Sequence, residues 1–305
     1  MKKVLVTETL DPEGYAMLEQ HFEVDRRDTT SEDELIEIVD QYDALMIKTY
    51  TRVTPAVLDK ASRLKIVARA GSGLDKVDLD YAKQKNVIVR NTPDANTTSV
   101  AELVFALMLT LSRNLVAAHN YLSAAEGWDR DRFTGFELAG KQLAIVGFGN
   151  IGKKVARRAE AFEMQVACFD PFVDAAAMAA HGVTKVEDVN ELLNSADYVT
   201  VHVPLLDSTR HLLGAEQFKS MKPTAIIVNT ARGPVVDNQA LVSALRDGQI
   251  AGAGLDVFEQ EPPQDPELLK LDNLVMCPHI GAATEEALRK MTTQAAQAII
   301  DELAD

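Results

Sequence analysis

Three residues able to move a proton or hold a carboxylate sit at the ends of three β-rich runs late in the chain. Arg232 follows AIIVNTA, Glu261 lies in GLDVFEQEPP, and His279 lies in LVMCPHIG. An imidazole titrates near neutral pH, so His279 can take or return a hydroxyl proton. A carboxylate hydrogen-bonded to that ring favours its charged form, a part Glu261 could play. A guanidinium grips a carboxylate with two parallel hydrogen bonds and polarises a reacting oxygen, which suits Arg232. Together they could serve a 2-hydroxy acid, where C2 loses a hydride and the hydroxyl loses a proton. Plainer uses exist: a structural ring, a loop acid before two prolines, a surface cation. Recurrence at successive strand ends favours chemistry, because in an open parallel sheet the carboxyl ends of the strands face one crevice.

A hydride needs an acceptor, and a second pattern supplies its seat. Gly147, Gly149 and Gly152 stand in GFGNIG, after the strand-like run QLAIV and before the helical run KKVARRAEAF. Glycines there allow a tight turn and close approach to a pyrophosphate, which helix N-terminal amides then face. Asp170 lies 170 − 147 = 23 residues past the first glycine, at the end of the next strand. A carboxylate there can accept both ribose hydroxyls and repel a 2′-phosphate, so the cofactor expected is NAD rather than NADP.

Along the chain, short β-rich runs alternate with helical ones. Strands are expected at Lys3–Thr7, Ala44–Lys48, Lys65–Ala68 and Val87–Val89, with helices over Asp11–Gln20, Ser31–Asp40, Pro55–Ser62 and Asp75–Lys85. Such alternation predicts a parallel sheet with helices on its faces. Ser99 and Glu102 read as a capping box. The run Leu103–Leu111 that follows is apolar on every face, so it should be buried all round, between domains or in a subunit interface. A second series has strands expected at Gln142–Val146, Gln165–Phe169, Tyr198–Val203, Ala225–Asn229, Gly252–Val257 and Asn273–Cys277, then a last helix over Thr284–Leu303.

Composition narrows the classes. With net charge −15, the chain lacks the cation excess that nucleic-acid binding needs. A local cluster of cations can still bind a small anionic substrate. Cys168 and Cys277 both fall in apolar runs, which fits buried thiols in a reducing compartment, with no disulfide framework and no metal site. No run is long enough for a membrane span. The expectation is a cytoplasmic protein. Of the other histidines, His202 is expected to pack beside the adenine side of the cofactor, and His211 has no assigned role.

The motifs together are specific. RAGSGLDKVD (69–78), NTTSVAEL (96–103), VGFGNIG (146–152), CFDP (168–171), HVPL (202–205), NTARG (229–233), GLDVFEQEPP (254–263) and CPHIGAAT (277–284) run nearly the length of the chain. In these the sequence resembles the D-isomer-specific 2-hydroxyacid dehydrogenases, with phosphoglycerate dehydrogenases the nearest in look. The resemblance implies an α/β fold of two doubly wound parallel-sheet domains. A Rossmann cofactor domain (98–283) would be inserted into a flavodoxin-like substrate domain (1–97 and 284–305). It also implies that Arg232, Glu261 and His279 are the catalytic set. Asn150 and Ile151 would meet the pyrophosphate, Asp170 the ribose, and Val203 and Pro204 the adenosine. Thr230, Ala231, Asp256, Gly281 and Ala282 would surround the nicotinamide, with Asp256 taking its carboxamide. Ser72 and Gly73 would offer amides to the substrate carboxylate. The segment from Ser99 to about 136 would form a homodimer contact.

The acid itself is less defined. Lys48, Arg52 and Arg69 could meet a substrate phosphate, and Arg130 or Arg132 could reach in from a second subunit. Lysine at 48 departs from the arginine usual in phosphoglycerate dehydrogenases, and it pairs a phosphate as a point charge only. D-3-phosphoglycerate, and hence serine biosynthesis, is the first expectation. Hydroxypyruvate or glyoxylate reduction, or another 3-substituted anionic acid, is the second. Because the chain stops at Asp305, a C-terminal regulatory domain is expected to be absent. A different class also fits the motifs: an NAD-sensing corepressor that binds partners without turnover.

Overall fold

The computed structural model describes residues 1–28 and 30–303, and the chain forms two compact units. One comprises Met1–Ser99 with Ala282–Asp305, the other Val100–Gly281. The first carries five strands: β1 (Lys3–Val6), β2 (Glu23–Arg26), β3 (Ala44–Ile47), β4 (Ile66–Arg69) and β5 (Ile88–Asn91). All pair in parallel in the order β2-β1-β3-β4-β5, the flavodoxin-like order. The second unit carries seven: β6 (Gln142–Val146), β7 (Gln165–Phe169), β8 (Thr184–Lys185), β9 (Tyr198–Val201), β10 (Ile226–Asn229), β11 (Gly252–Leu255) and β12 (Leu274–Met276). Their order is β12-β11-β10-β9-β6-β7-β8, again all parallel, with the reversal between β6 and β9. That reversal marks the nucleotide crevice of a Rossmann sheet.

Central strands are apolar on both faces because helices cover both. β3, β9, β10 and β11 are buried throughout. In the first unit, one face of the sheet packs Leu5, Leu35, Tyr42 and Val57, and the other packs Leu18 with Met291, Ala295 and Ile299 of the last helix, Glu285–Leu303. That helix lies so close to the helix Pro12–Glu19 that a Cβ on Gly14 would stand 2.1 Å from the Thr292 methyl. In the second unit β11 reads GAGL because the helix Thr97–Ser112 lies directly on it. Cβ atoms on Gly252 and Gly254 would meet Leu111 and Leu107 at 3.3 and 3.1 Å.

Three expectations need correction. Ser99 does not cap a helix: the helix begins at Thr97, and Ser99 Oγ meets Thr284 Oγ1 at 2.7 Å. Within a single chain the apolar helix is not buried all round. Val104, Phe105, Leu107 and Met108 are buried, but Ala106 is exposed and Leu103, Leu109 and Leu111 are half-buried. Cys277 is only half-buried, whereas Cys168 is buried, and both are free thiols. Past Ser112 the chain bends by 61° into the helix Leu115–Ser123, with Asn114 in the left-handed region at the break. Among the described residues no single helix is long and apolar enough to cross a membrane.

Candidate active site

The three singled-out residues follow three adjacent strands. Backbone pairing sets Asn229, Leu255 and Met276 level across β10, β11 and β12. Arg232 lies three residues beyond that line, Glu261 six and His279 three. Glu261 and His279 meet: His279 Nδ1 is 2.9 Å from Glu261 Oε2. A carboxylate only accepts, so Nδ1 carries the proton and Nε2 is left to take or give one. Glu261 Oε1 accepts the Phe258 N–H at 3.2 Å, which fixes the carboxylate's other end. A cis peptide bond joins Glu261 to Pro262.

The backbone around each residue explains how it is aimed. His279 has φ +55°, a left-handed conformation that a two-residue turn between Pro278 and Gly281 permits. Its N–H donates to the Cys277 carbonyl at 3.0 Å. Asp256, 1% exposed, then clamps the turn, because Oδ1 accepts the Ile280 N–H and Oδ2 the Gly281 N–H, each at 2.7 Å. Burial raises the Asp256 carboxyl above its ordinary range, opposed by those two N–H groups. Arg232 is placed by the buried Asn229, whose Oδ1 accepts the Ala231 N–H at 3.0 Å and whose Nδ2 donates to the Arg232 carbonyl at 2.9 Å. Arg232 Nη1 donates to the Ala231 carbonyl at 2.7 Å. Gly233 must be glycine, since a Cβ there would stand 1.9 Å from the Phe258 carbonyl carbon. The turn bearing Arg232 thus lies against the segment leading to Glu261. Neither the Asn229 bracket nor the Asp256 clamp was legible as such; the only signal was a buried polar residue closing an apolar strand.

At the reversal of the sheet, the glycine turn has the form a diphosphate requires. Gly147 has φ +101°, and a Cβ on it would press on the His202 backbone at 2.9 Å. Gly152 lies against the Gly147 carbonyl, where a Cβ would be 2.3 Å away. Gly149 caps the helix Asn150–Ala161 without a side-chain hydrogen bond, and a Cβ there would meet nothing within 4 Å. That open helix N-terminus fits the pyrophosphate of NAD. Asp170 reaches back to the turn, accepting the Phe148 N–H at 2.8 Å on one oxygen and the Phe172 N–H at 2.9 Å on the other. Thr230 Oγ1 is buried with no hydrogen-bond partner, a group that a ligand at the end of β10 would satisfy. Val203 is half-buried and Pro204 exposed beside it; Ala231 and Gly281 are buried, and Ile151 and Ala282 are half-buried. Among the described residues no cluster could hold a metal ion.

In the first unit Lys48 follows β3, Arg69 ends β4, and Ser72 and Gly73 occupy the loop after it. Arg69 Nε donates to the Lys48 carbonyl at 2.8 Å and Nη1 to the Gly73 carbonyl, so its guanidinium joins the two loops. Asn91 Nδ2 holds the Ser72 carbonyl at 2.5 Å. Arg52 is exposed. In the second unit Arg132 lies over the rings of Tyr121 and Phe133, and Arg130 is exposed.

The parallel sheet with its glycine turn, and the paired acid and imidazole at neighbouring strand ends, have the form of a dinucleotide-binding Rossmann unit with a proton-transfer pair beside it. The family model for the D-isomer specific 2-hydroxyacid dehydrogenase NAD binding domain matches residues 105–281, and the chain belongs to that family. It is 46% identical over 299 residues to a D-3-phosphoglycerate dehydrogenase of Methanocaldococcus jannaschii, covering 98% of this chain and 57% of that one. It is 42% identical over 309 residues to a hydroxypyruvate reductase of Thermotoga maritima, covering 99% and 98%. Thus the chain spans little more than half of the first relative and nearly all of the second. The solved TT0316 protein from Thermus thermophilus superposes with a TM-score of 0.92 at 36% identity, over 99% of this chain and 97% of that one.

Proposed function

We propose that the protein interconverts a D-2-hydroxy acid and its 2-oxo acid with NAD, and that D-3-phosphoglycerate and 3-phosphohydroxypyruvate are its pair, the entry to serine biosynthesis. The observation that carries the reading is the 2.9 Å contact of His279 Nδ1 with Glu261 at the ends of β12 and β11, in a chain with an NAD-binding glycine turn. Bound NAD supplies the hydride acceptor. His279 Nε2 takes the proton of the 2-hydroxyl, Glu261 stabilises the imidazolium that results, and Arg232 holds the substrate carboxylate and polarises C2–O. Gly147, Gly149, Asn150, Ile151 and Gly152 hold the pyrophosphate, and Asp170 holds the ribose. Val203 and Pro204 flank the adenosine. Thr230, Ala231, Asp256, Gly281 and Ala282 line the nicotinamide end. Lys48, Arg69, Ser72 and Gly73 recognise the rest of the acid, with Lys48 facing a phosphate.

A second reading, reduction of hydroxypyruvate or glyoxylate, is favoured by Arg69. Its guanidinium is engaged with backbone carbonyls, which leaves fewer N–H donors to grip a phosphate. A panel of D-2-hydroxy and 2-oxo acids, run on purified protein with NAD(H) and NADP(H), separates the readings. D-3-phosphoglycerate as the best substrate, losing its advantage over D-glycerate in Lys48→Ala, is the expected result. Preference for unphosphorylated hydroxypyruvate would select the second reading. Tight NAD binding without turnover of any acid would select an NAD sensor instead. We place the working protein in the cytoplasm as a homodimer.

A further inference from the structure

Glu8 follows β1 at its carboxyl end and is 5% exposed. Its carboxylate accepts five hydrogen bonds from one short loop. Oε1 takes the N–H groups of Lys48, Tyr50 and Thr51 at 3.0, 3.0 and 3.1 Å, and the Thr51 hydroxyl at 3.1 Å. Oε2 takes the Thr49 N–H at 2.8 Å. The Thr51 hydroxyl, having donated to Glu8, accepts from Thr7 Oγ1 at 2.6 Å. Buried carboxylates are costly unless their lone pairs are filled, and here a single acid fills them with four consecutive backbone amides. Arg69 grips the same loop from its other side, through the Lys48 carbonyl.

We propose that Glu8 is a positioning residue for substrate recognition: its carboxylate turns the 48–51 amides inward and thereby commits this loop to reading the substrate with the side chains of Lys48 and Tyr50. The inference rests on the proposed function, which makes the 48–51 loop part of the substrate site. Four successive amides pointing outward would form an anion cradle indifferent to what the anion is attached to. With Glu8 occupying that cradle, an incoming acid meets one ammonium and one exposed ring, Tyr50 being 75% exposed. A glutamine at position 8 cannot do the same, because its amide NH₂ would face at least one backbone N–H, donor against donor.

The test combines amide hydrogen exchange at 48–51 with steady-state kinetics on Glu8→Gln, Glu8→Asp and wild type. In Glu8→Gln, exchange of these amides should quicken and KM for the best acid of the panel should rise about tenfold, with kcat changed less than threefold and NAD affinity unmoved. Glu8→Asp, which keeps the charge, should recover part of the loss. Unchanged exchange overturns the proposal, as does faster exchange with an unmoved KM, which is what a purely structural acid would give. If Glu8→Gln does not fold, Thr51→Val removes one donor and is read by the same two measurements. A wild type that turns over no acid defeats the functional reading, while exchange still decides whether Glu8 sets the loop.

Discussion

His279 works through two constraints that pull on different atoms. Glu261 fixes Nδ1, and the Asp256 clamp on Ile280 and Gly281 fixes the backbone that carries the ring. Because φ is +55° there, alanine would add backbone strain to the loss of the imidazole. Asparagine tolerates that conformation and is the cleaner probe. In His279→Asn, kcat should fall by about 10²–10⁴-fold, the usual share of a general acid–base group, while NAD affinity stays within a few-fold. Steady-state rates and fluorescence titration of NADH measure the two; an equal loss of both would make the ring structural. At this scale the sequence was informative about identity and silent about support. Arg232, Glu261 and His279 announce themselves by type at strand ends. Glu8 does not, because its five donors lie some forty residues away and only the parallel pairing of β1 with β3 brings them to it.

The elements were legible where burial dictates composition and obscure where it does not. β1, β3, β6 and β10 read as apolar runs because both their faces are covered. β2 reads EVDR, pairs only with β1 at the sheet edge, and carries no such signal. The expected capping box failed because the helix begins at Thr97, which puts Ser99 inside it, its hydroxyl meeting that of Thr284, 185 residues distant. His202, just beyond β9, shows a cost that an element can impose on a side chain. Its Nε2 meets Thr200 Oγ1 at 2.9 Å and its Nδ1 is buried without a partner. Burial pushes the ring from an ordinary 6.5 down to about 3. The unfolded chain therefore takes up a proton as pH falls through 6.5, and the folded chain refuses it until about 3. Stability from this group is complete above 6.5 and is lost as pH falls below it, by up to about 1.4 kcal/mol per pH unit. Urea unfolding at about pH 6.5 and about pH 5 should show His202→Asn losing about 1–2 kcal/mol less than wild type over that interval. Equal losses would mean that the ring is protonated in the folded protein.

At the scale of the molecule, one stretch leaves several large apolar side chains uncovered. The helix Leu115–Ser123 has no buried residue, and Leu115, Val116 and Leu122 are each about half exposed, at 53, 48 and 54%. Further along the chain Trp128 and Phe136 are 81 and 56% exposed, and the preceding helix leaves Ala106 uncovered. Exposed apolar side chains of this kind are what an obligate interface buries, and a second copy of the chain is the occupant the proposed homodimer requires. The same chain carries a net charge of −15, so two copies repel while their apolar faces attract. Sedimentation should then find a species of twice 33.3 kDa that tightens as salt is raised from low to physiological strength, since screening weakens the repulsion and leaves the apolar contact. Leu122→Arg puts a cation into that face and should give a monomer with unchanged far-ultraviolet circular dichroism. A wild type that is monomeric at micromolar concentration, or a dimer that weakens with added salt, would show that the face is not the contact or that ion pairs rather than apolar burial hold it.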